Sequence, residues 1–181
     1  MPPRLMVPRY DHARQLRCAR AVAALLVLSF FLAGPAWSAT VGELESLRGL
    51  KGVDIAVEQL RPEVEGLGLR RDQIKAAVEA DLMAAHIKIL TEKDIFTGKP
   101  WLYINIHAFA GLEGRLIIYA VSVELIQQVR LVRDPLISTT AVTWSISQAG
   151  NADRSQTDVI LKVVKELVAR FIQDYSLANR K

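Results

Sequence analysis

The sequence predicts an α+β domain, in which two helices pack on one face of a mainly antiparallel sheet of four or five strands. Apolar and polar side chains alternate along four segments, which is the period of half-buried strands. Two further segments repeat their apolar residues with the helical period. The predicted order is β-α-β-β-β-β-α, and sheets with helices gathered on one face are the α+β arrangement. The four alternating segments are 53–60, 101–110, 115–132 and 139–147, and the helical ones are 70–85 and 157–177.

The first strand and the first helix precede the longest alternating segments. In VDIAVEQL (53–60), Val53, Ile55 and Val57 point to one side, and Pro62 follows the strand. The next segment, 70–85, has an apolar stripe at helical spacing. IKIL (87–90) is predicted to be a short additional strand. The stripe of the helix consists of Ile74, Ala77, Val78, Leu82 and Ala85.

Residues 101–132 predict a β-hairpin closed by the loop GLEG at 111–114. Pairing Ala110 with Arg115 places four pairs on one side of the sheet, and Tyr119 is their one amphipathic member. A slip of one residue would mix the two faces, so the pattern predicts this register. The four pairs are Ala108–Ile117, Ile106–Tyr119, Ile104–Val121 and Leu102–Val123.

The C-terminal third predicts one more strand and a helix. DPLIS (134–138) is expected to turn the chain into the strand TTAVTWSIS (139–147), with Val142, Trp144 and Ile146 on one face. The polar segment 148–156 is expected to be a loop. The last helix spans 157–177, with Thr157 as its N-cap. Its apolar stripe consists of Ile160, Val163, Val164, Leu167, Val168, Phe171 and Tyr175.

Residues 1–39 are predicted to be a signal peptide of the Sec type. Five arginines precede the apolar run AVAALLVLSFFLA (21–33), and GPAWSA (34–39) supplies small residues for cleavage after Ser38, Ala36 or Ala39. The run is shorter than the roughly 20 residues of a membrane-spanning helix. An uncleaved signal that anchors the chain in the inner membrane is the alternative. The expected location is therefore the periplasm or the exterior.

The remaining residues, 40–181, are predicted to form a single domain after a weakly structured lead-in at 40–52. Of the 23 Lys and Arg residues, five lie in 1–39, as does one of the 19 Asp and Glu residues. The domain thus carries 18 charges of each sign and is neutral, which does not favour binding to nucleic acid. Cys18 precedes the apolar run, so it is not placed to carry a lipid, and a domain without cysteine suits a bacterial periplasm.

The chain resembles several small exported bacterial α/β domains. The segments that carry the resemblance are VDIAVEQL, the helix over 74–85, the hairpin at 101–125, TTAVTWSIS and VKELVARFIQDYSLAN. The resemblance is to the N-terminal domain of TolB, LptE-like lipoproteins and the lipoprotein activators of penicillin-binding proteins, and to uncharacterised exported proteins. It implies a compact periplasmic domain with an accessory role, and it includes no catalytic motif.

No residue pattern predicts catalysis, a metal site or a cofactor. His86 and His107 are isolated from each other and from any cysteine, unlike typical metal ligands. Ser122, Ser145 and Ser147 lack the G-x-S-x-G context of a hydrolase nucleophile. We therefore predict a protein that is not an enzyme. An enzyme whose site is assembled from dispersed residues remains the less favoured alternative.

The face of the hairpin that points away from the core is the candidate binding surface. In the predicted register Trp101 faces Glu124, Tyr103 faces Ser122 and Phe109 faces Leu116. Aromatic residues are enriched at interfaces, and exposed apolar patches mark partner sites. The alternative is that a loop covers this face, or that these are ordinary strand aromatics. The predicted partner-binding residues are Trp101, Tyr103, His107, Phe109, Leu116 and Ile118.

These observations favour a periplasmic accessory or binding protein that presents a sheet face to an envelope protein or a small apolar ligand. A self-associating structural protein of the envelope is the alternative, in which the same face or a sheet edge pairs with itself. No residue pattern identifies the partner or predicts the oligomeric state.

Overall fold

The α+β class is confirmed by the structure, a computed structural model in which helices cover one face of a four-stranded sheet. The described helices are α1 (Val41–Leu47), α2 (Pro62–Glu65), α3 (Arg71–Ala84) and α4 (Asp158–Ala178). The strands are β1 (Asp54–Val57), β2 (Trp101–Gly111), β3 (Leu116–Leu131) and β4 (Asp134–Asp153). The structure describes residues 39–66, 68–94, 98–111, 114–156 and 158–180. The predicted signal peptide, apart from Ala39, and the predicted cap Thr157 lie outside them.

The sheet has the strand order β1-β2-β3-β4 and is mixed. β1 runs parallel to β2, whereas β2, β3 and β4 are antiparallel. The prediction of a mainly antiparallel sheet is therefore only partly right. The physical reason is the connection, because a helix between two neighbouring strands returns the chain to the same end of the sheet and makes the strands parallel.

Two further elements differ from the prediction. The structure has four described helices where two were predicted, because α1 forms in the lead-in and α2 begins at Pro62. The predicted strand IKIL is reduced to one bridge, in which Ile89 pairs with Val53. From Asp54 onward β1 pairs with β2, so the observed order is α-β-α-α-β-β-β-α.

The hairpin pairs in a register two residues away from the predicted one. Ala108 lies opposite Tyr119, and Gly111 lies opposite Leu116. β2 therefore continues through Gly111, and the connection comprises residues 112–115, with Gly114 in the left-handed region at φ 84°. A shift of two residues leaves every side chain on its predicted face. The alternating pattern thus predicted the faces correctly and the pairs wrongly.

β4 is longer than predicted at both ends. The predicted turn at 134–138 belongs to the strand, and the predicted polar loop at 148–156 is strand as far as Asp153. Gly150 lies opposite the buried Tyr119, and a Cβ at Gly150 would lie 2.6 Å from the Tyr119 hydroxyl oxygen. At this position the missing side chain of glycine leaves room for an aromatic ring within a strand, and the glycine does not form a turn.

A β-bulge in β4 separates two residues that were predicted to share a face. Leu125 pairs with Trp144 and the next residue, Ile126, pairs with Val142, so Thr143 is the extra residue. An extra residue reverses the alternation beyond it. Trp144 is buried, whereas Val142 is 50% exposed on the side away from the helices.

The core lies between the sheet and the helices. The alternating apolar residues of β1, β2 and β3 are buried on the helix side. Both predicted helical stripes are confirmed in their central residues, which are Ile74, Val78 and Leu82 in α3 and Ile160, Val163, Val164, Leu167, Val168 and Phe171 in α4.

Trp144 connects β4 to α4 through both packing and a polar contact. Its ring meets that of Phe171 edge-on, with 5.2 Å between the ring centroids. Its indole Nε1–H donates a hydrogen bond to Asp174 Oδ2 over 3.1 Å, although Asp174 is only 5% exposed. The other carboxylate oxygen lies 3.6 Å from Arg170 Nε. A buried indole N–H and a buried carboxylate thus satisfy each other.

α1 begins with a capping box and covers part of the outer edge of β4. Thr40 Oγ1 accepts a hydrogen bond from the Glu43 N–H over 3.2 Å, and the Thr40 N–H donates to Glu43 Oε2 over 2.8 Å. Glu43 Oε1 also accepts from the Ser145 N–H over 3.3 Å, and Ser46 Oγ donates to the Thr143 carbonyl over 3.0 Å. One short helix therefore hydrogen-bonds to backbone groups of β4 at the bulge.

We predict that Asp174→Ala lowers the free energy of unfolding by about 1–3 kcal/mol, because the Trp144 N–H then loses its acceptor in the core. Asp174→Asn retains an amide oxygen as an acceptor, so its loss is expected to be smaller. Urea denaturation of the purified protein measures both, with the exposed Ser176→Ala as control. Equal midpoints for Asp174→Ala and the unaltered protein would contradict the assigned role of this contact.

A second prediction concerns Glu43 and pH. The hydrogen bond from the Thr40 backbone N–H lowers the pKa of Glu43 from its ordinary value of 4.5. A lowered folded-state pKa contributes stability above about pH 4.5, which is lost as the pH falls through the folded-state value. Glu43→Gln should therefore lower the urea midpoint at pH 7 more than at pH values well below 4.5.

The matched control for Glu43 is Glu166→Gln. Glu166 is exposed on α4, so its replacement removes the same charge without changing the contacts to Thr40 and Ser145. An equal effect of Glu43→Gln at both pH values would show that the carboxylate contributes nothing through these two bonds.

Candidate functional site: the open face of the sheet

The open face is the side of β2, β3 and β4 that points away from the helices. Odd-numbered residues of β2 and even-numbered residues of β3 form it, and none of them belongs to the buried core. The helices that pack against the core lie on the opposite side, and the loop at Gly98 approaches the open face at Gln128 of β3. The open face includes all six residues predicted to bind a partner.

The observed register gathers large apolar side chains at one end of the open face. Trp101 lies opposite Ile126, and Ile126 lies opposite Val142. We call these three residues the Trp101 row. Trp101 is 38% exposed and Val142 is 50% exposed, whereas Ile126 is partly buried between them. The prediction that Trp101 faces Glu124 is wrong, because the two-residue shift places Tyr103 opposite Glu124 instead.

A second apolar group lies at the other end, near the loop of the hairpin. Phe109 lies opposite Ile118, and Leu116 lies opposite Gly111. We call Phe109, Ile118 and Leu116 the Phe109 row. The predicted pair Phe109–Leu116 is wrong by the same two residues, and His107 lies opposite Ala120. Phe109 is 56% exposed and Ile118 is 39% exposed.

Next to the Trp101 row Tyr103 lies opposite Glu124, and small and polar side chains occupy the rest of the area between the two rows. Asn105 lies opposite Ser122, which in turn lies opposite Ser147, and His107 and Ala120 form the neighbouring row with Ala149. Trp101 and Phe109 are eight residues apart on one strand, a separation of about 26 Å at 3.3 Å per residue. The open face therefore has two apolar contact areas separated by a mainly polar strip.

A small cavity adjoins the Phe109 row. Its volume is about 200 Å³, and it lies where the strand ends of the hairpin approach α2 and Arg154. Residues from both faces of the sheet line it because it opens at the end of the strands. The lining residues are Glu63, Gly66, Ala108, Phe109, Ala110, Leu116, Ile117 and Arg154.

The structure brings the six predicted residues to one face but not into one patch. Trp101 and Tyr103 lie near one end, whereas Phe109, Leu116 and Ile118 lie near the other, with His107 exposed next to that group. Sequence reasoning missed Ile126 and Val142. The alternation of apolar and polar residues along β3 indicates that Ile126 lies on the open face. Val142 cannot be found in this way, because the bulge at Thr143 reverses the alternation along β4.

Two further observations concern other kinds of site. In the part of the chain that the structure describes, no three His, Cys, Asp or Glu side chains are grouped so that they could hold a metal ion. Among the described helices, none combines the length and the apolar character needed to cross a bilayer.

Comparisons with known proteins yield similar structures only. No protein-family model matches the chain, and no curated protein sequence matches it. The chain is similar to a dodecameric PelC from Paraburkholderia phytofirmans, with 16% identity, a TM-score of 0.39, and coverage of 76% of this chain and 96% of that one. It is also similar to a minor lipoprotein from Acinetobacter baumannii, with 12% identity, a TM-score of 0.37, and coverage of 72% and 93%. The resemblance to TolB, LptE and the penicillin-binding-protein activators stays a prediction.

The two faces of β2 differ in burial, so we predict that substitutions on them differ in their effect on stability. Phe109→Ser should lower the free energy of unfolding by about 1 kcal/mol or less, because mainly its cross-strand contact with Ile118 is lost. Ile104→Ala on the same strand should cost about 2–5 kcal/mol, because Ile104 is fully buried. Denaturant midpoints of the two variants compare these effects. A loss for Phe109→Ser as large as that for Ile104→Ala would mean that the open face is covered.

Proposed function

We propose that this chain is an exported, non-enzymatic accessory protein of the bacterial envelope, and that it binds a partner protein with the open face of its sheet. The observation that carries the proposal is that Trp101, Phe109, Ile118 and Val142 are all more than a third exposed on one face. Exposed apolar groups on a folded domain are typical of interaction sites.

The shape of the open face favours a protein over a small apolar ligand. Small-molecule sites are concave and usually enclose about 300–1,000 Å³. The cavity beside Phe109 is about 200 Å³, and the remainder of the face is an extended strand surface. A partner protein can contact both apolar rows at once, with the polar strip as a hydrated area between them, as in ordinary interfaces.

The proposed location rests on the N-terminal sequence. The arginines before residue 21, the apolar run at 21–33 and the small residues at 34–39 support export by a Sec-type signal peptide. A neutral domain without cysteine is consistent with a periplasmic protein. The absence of a recognisable catalytic motif in the sequence supports a binding role over an enzymatic one.

Site-specific photo-cross-linking in intact cells tests the proposal. A photoreactive phenylalanine analogue placed at Phe109 or at Trp101 should form an adduct with the same partner protein, because both positions lie on the proposed interface. The matched control places the analogue at Leu177, which is 47% exposed on α4 at the opposite side of the molecule. Mass spectrometry of the adducts identifies the partner.

Two results decide the outcome. Adducts shared by positions 101 and 109, absent from position 177 and lost when Ile118→Ser is combined with the analogue at 101, would support the open face as the binding site. Identical adduct patterns at all three positions, or no adduct from the two open-face positions, would overturn it.

A further inference from the structure

The strands β3 and β4 continue past the rest of the sheet as a two-stranded arm. β2 begins at Trp101, which pairs with Ile126, so within the described residues β3 and β4 pair only with each other beyond that point. Leu131 ends β3 and lies five residues beyond Ile126. At 3.3 Å per residue, the end of the arm is therefore about 16 Å beyond β2. We call residues 130–137 the arm tip.

The backbone of the arm tip is irregular but held by a local contact. The register of β3 with β4 shifts between Arg130 and Leu131, so residues 135–137 of β4 lie outside the ladder. Asp134 Oδ1 accepts a hydrogen bond from the Leu136 N–H over 3.1 Å. The first residue outside the ladder is a proline, which has no N–H. One backbone donor is thus satisfied and another is absent, which lowers the cost of moving this segment out of water.

The arm tip includes the two most exposed large apolar side chains in the part of the chain that the structure describes. Val132 is 99% exposed and Leu136 is 94% exposed, whereas the next value is 77%, at Val41. Turns between strands usually contain Gly, Asn, Asp or Ser, yet the turn of this arm consists of Val132 and Arg133. Single exposed apolar residues are common on protein surfaces. Here, however, two of them project from one convex end of the molecule.

Basic residues flank these two apolar side chains. Arg130 and Arg133 are both exposed. Between residues 126 and 142 the only other charged group is Asp134, which accepts the hydrogen bond from the backbone of the tip. Two arginines and one aspartate give the arm a net charge of +1, whereas the predicted domain as a whole is neutral. Apolar side chains next to arginines are typical of segments that bind the interface of a bilayer with anionic headgroups.

We infer that the arm tip inserts Val132 and Leu136 into the surface of a bilayer that contains anionic lipid, while its two arginines contact the headgroup phosphates. Shape favours this occupant, because small-molecule sites are concave and the arm tip is convex. A bilayer surface accepts a protruding side chain without a preformed socket, whereas a partner protein must supply one. Two side chains and two charges bind reversibly, so the contact holds the domain at the membrane only transiently. The inference is independent of the partner proposed for the open face.

A fluorescent probe at the arm tip tests the inference. Protein with Cys18→Ser is purified from cells that express the complete chain, and Val132→Cys is labelled with nitrobenzoxadiazole, whose emission rises in apolar surroundings. Vesicles of phosphatidylglycerol and phosphatidylethanolamine at millimolar lipid should raise the emission, and lipids with a doxyl group in the acyl chain should quench it. The matched control has the same probe at Ser176→Cys, an exposed position on α4, and should show neither change.

Substitutions in the labelled protein separate the apolar contribution from the charged one. Leu136→Ser should weaken lipid binding about tenfold, because the burial of one leucine side chain is lost. Arg130→Gln combined with Arg133→Gln should also weaken it about tenfold. The same pair should remove the preference for vesicles with phosphatidylglycerol over vesicles of phosphatidylcholine alone. The matched control, Arg71→Gln combined with Arg115→Gln, changes two exposed arginines outside the arm and should bind as before.

Three results would overturn the inference. The first is an emission from position 132 that vesicles leave unchanged, or that changes equally at position 176. The second is lipid binding that survives both Leu136→Ser and the double substitution at Arg130 and Arg133. The third is a response of position 132 to lipid-free envelope protein but not to vesicles, which would assign the tip to a protein socket. Circular dichroism verifies that each variant is folded, and the cross-linking test at Trp101 and Phe109 is unaffected by any of these results.

Discussion

The contact of Trp144 with α4 determines how the sheet and the C-terminal helix fit together. The indole packs edge-on against Phe171 and donates its N–H to the buried Asp174, so a large side chain of β4 is held in the core by both packing and a hydrogen bond. Because Trp144 must point inward and Thr143 is an extra residue, Val142 points outward. The same contact that completes the core therefore contributes an apolar side chain to the open face.

The one-sided arrangement of helices explains the surface to which we assign the binding of a partner protein. A sheet covered on one side buries alternate residues and leaves the others at the surface. On β2 and β3 those surface residues are large and apolar at the two ends, which is the basis of the proposed binding face. β4 is at the end of the strand order, and α1 hydrogen-bonds to its backbone at the bulge.

Much of the fold and of the candidate site could be predicted from the sequence, and the predictions that were wrong have identifiable physical causes. The faces of β2 and β3 were predicted correctly from alternation, whereas their pairing was wrong by two residues because such a shift leaves the alternation unchanged. The strand through Gly150 was missed because glycine usually indicates a turn, yet here it makes room for Tyr119. All six candidate site residues were on one face as predicted, but Val142 could not be assigned to it without the bulge at Thr143.

The sequence by itself determined the α+β class, the two long helices and the inward and outward sides of the central hairpin, because these depend on local periodicity. The tertiary structure alone decided the parallel pairing of β1, the register of the hairpin, the bulge at Thr143 and the position of β4 at the edge. These features depend on contacts between residues far apart in the chain, to which a local pattern is insensitive. The arrangement of the open face into two apolar rows belongs to this second group.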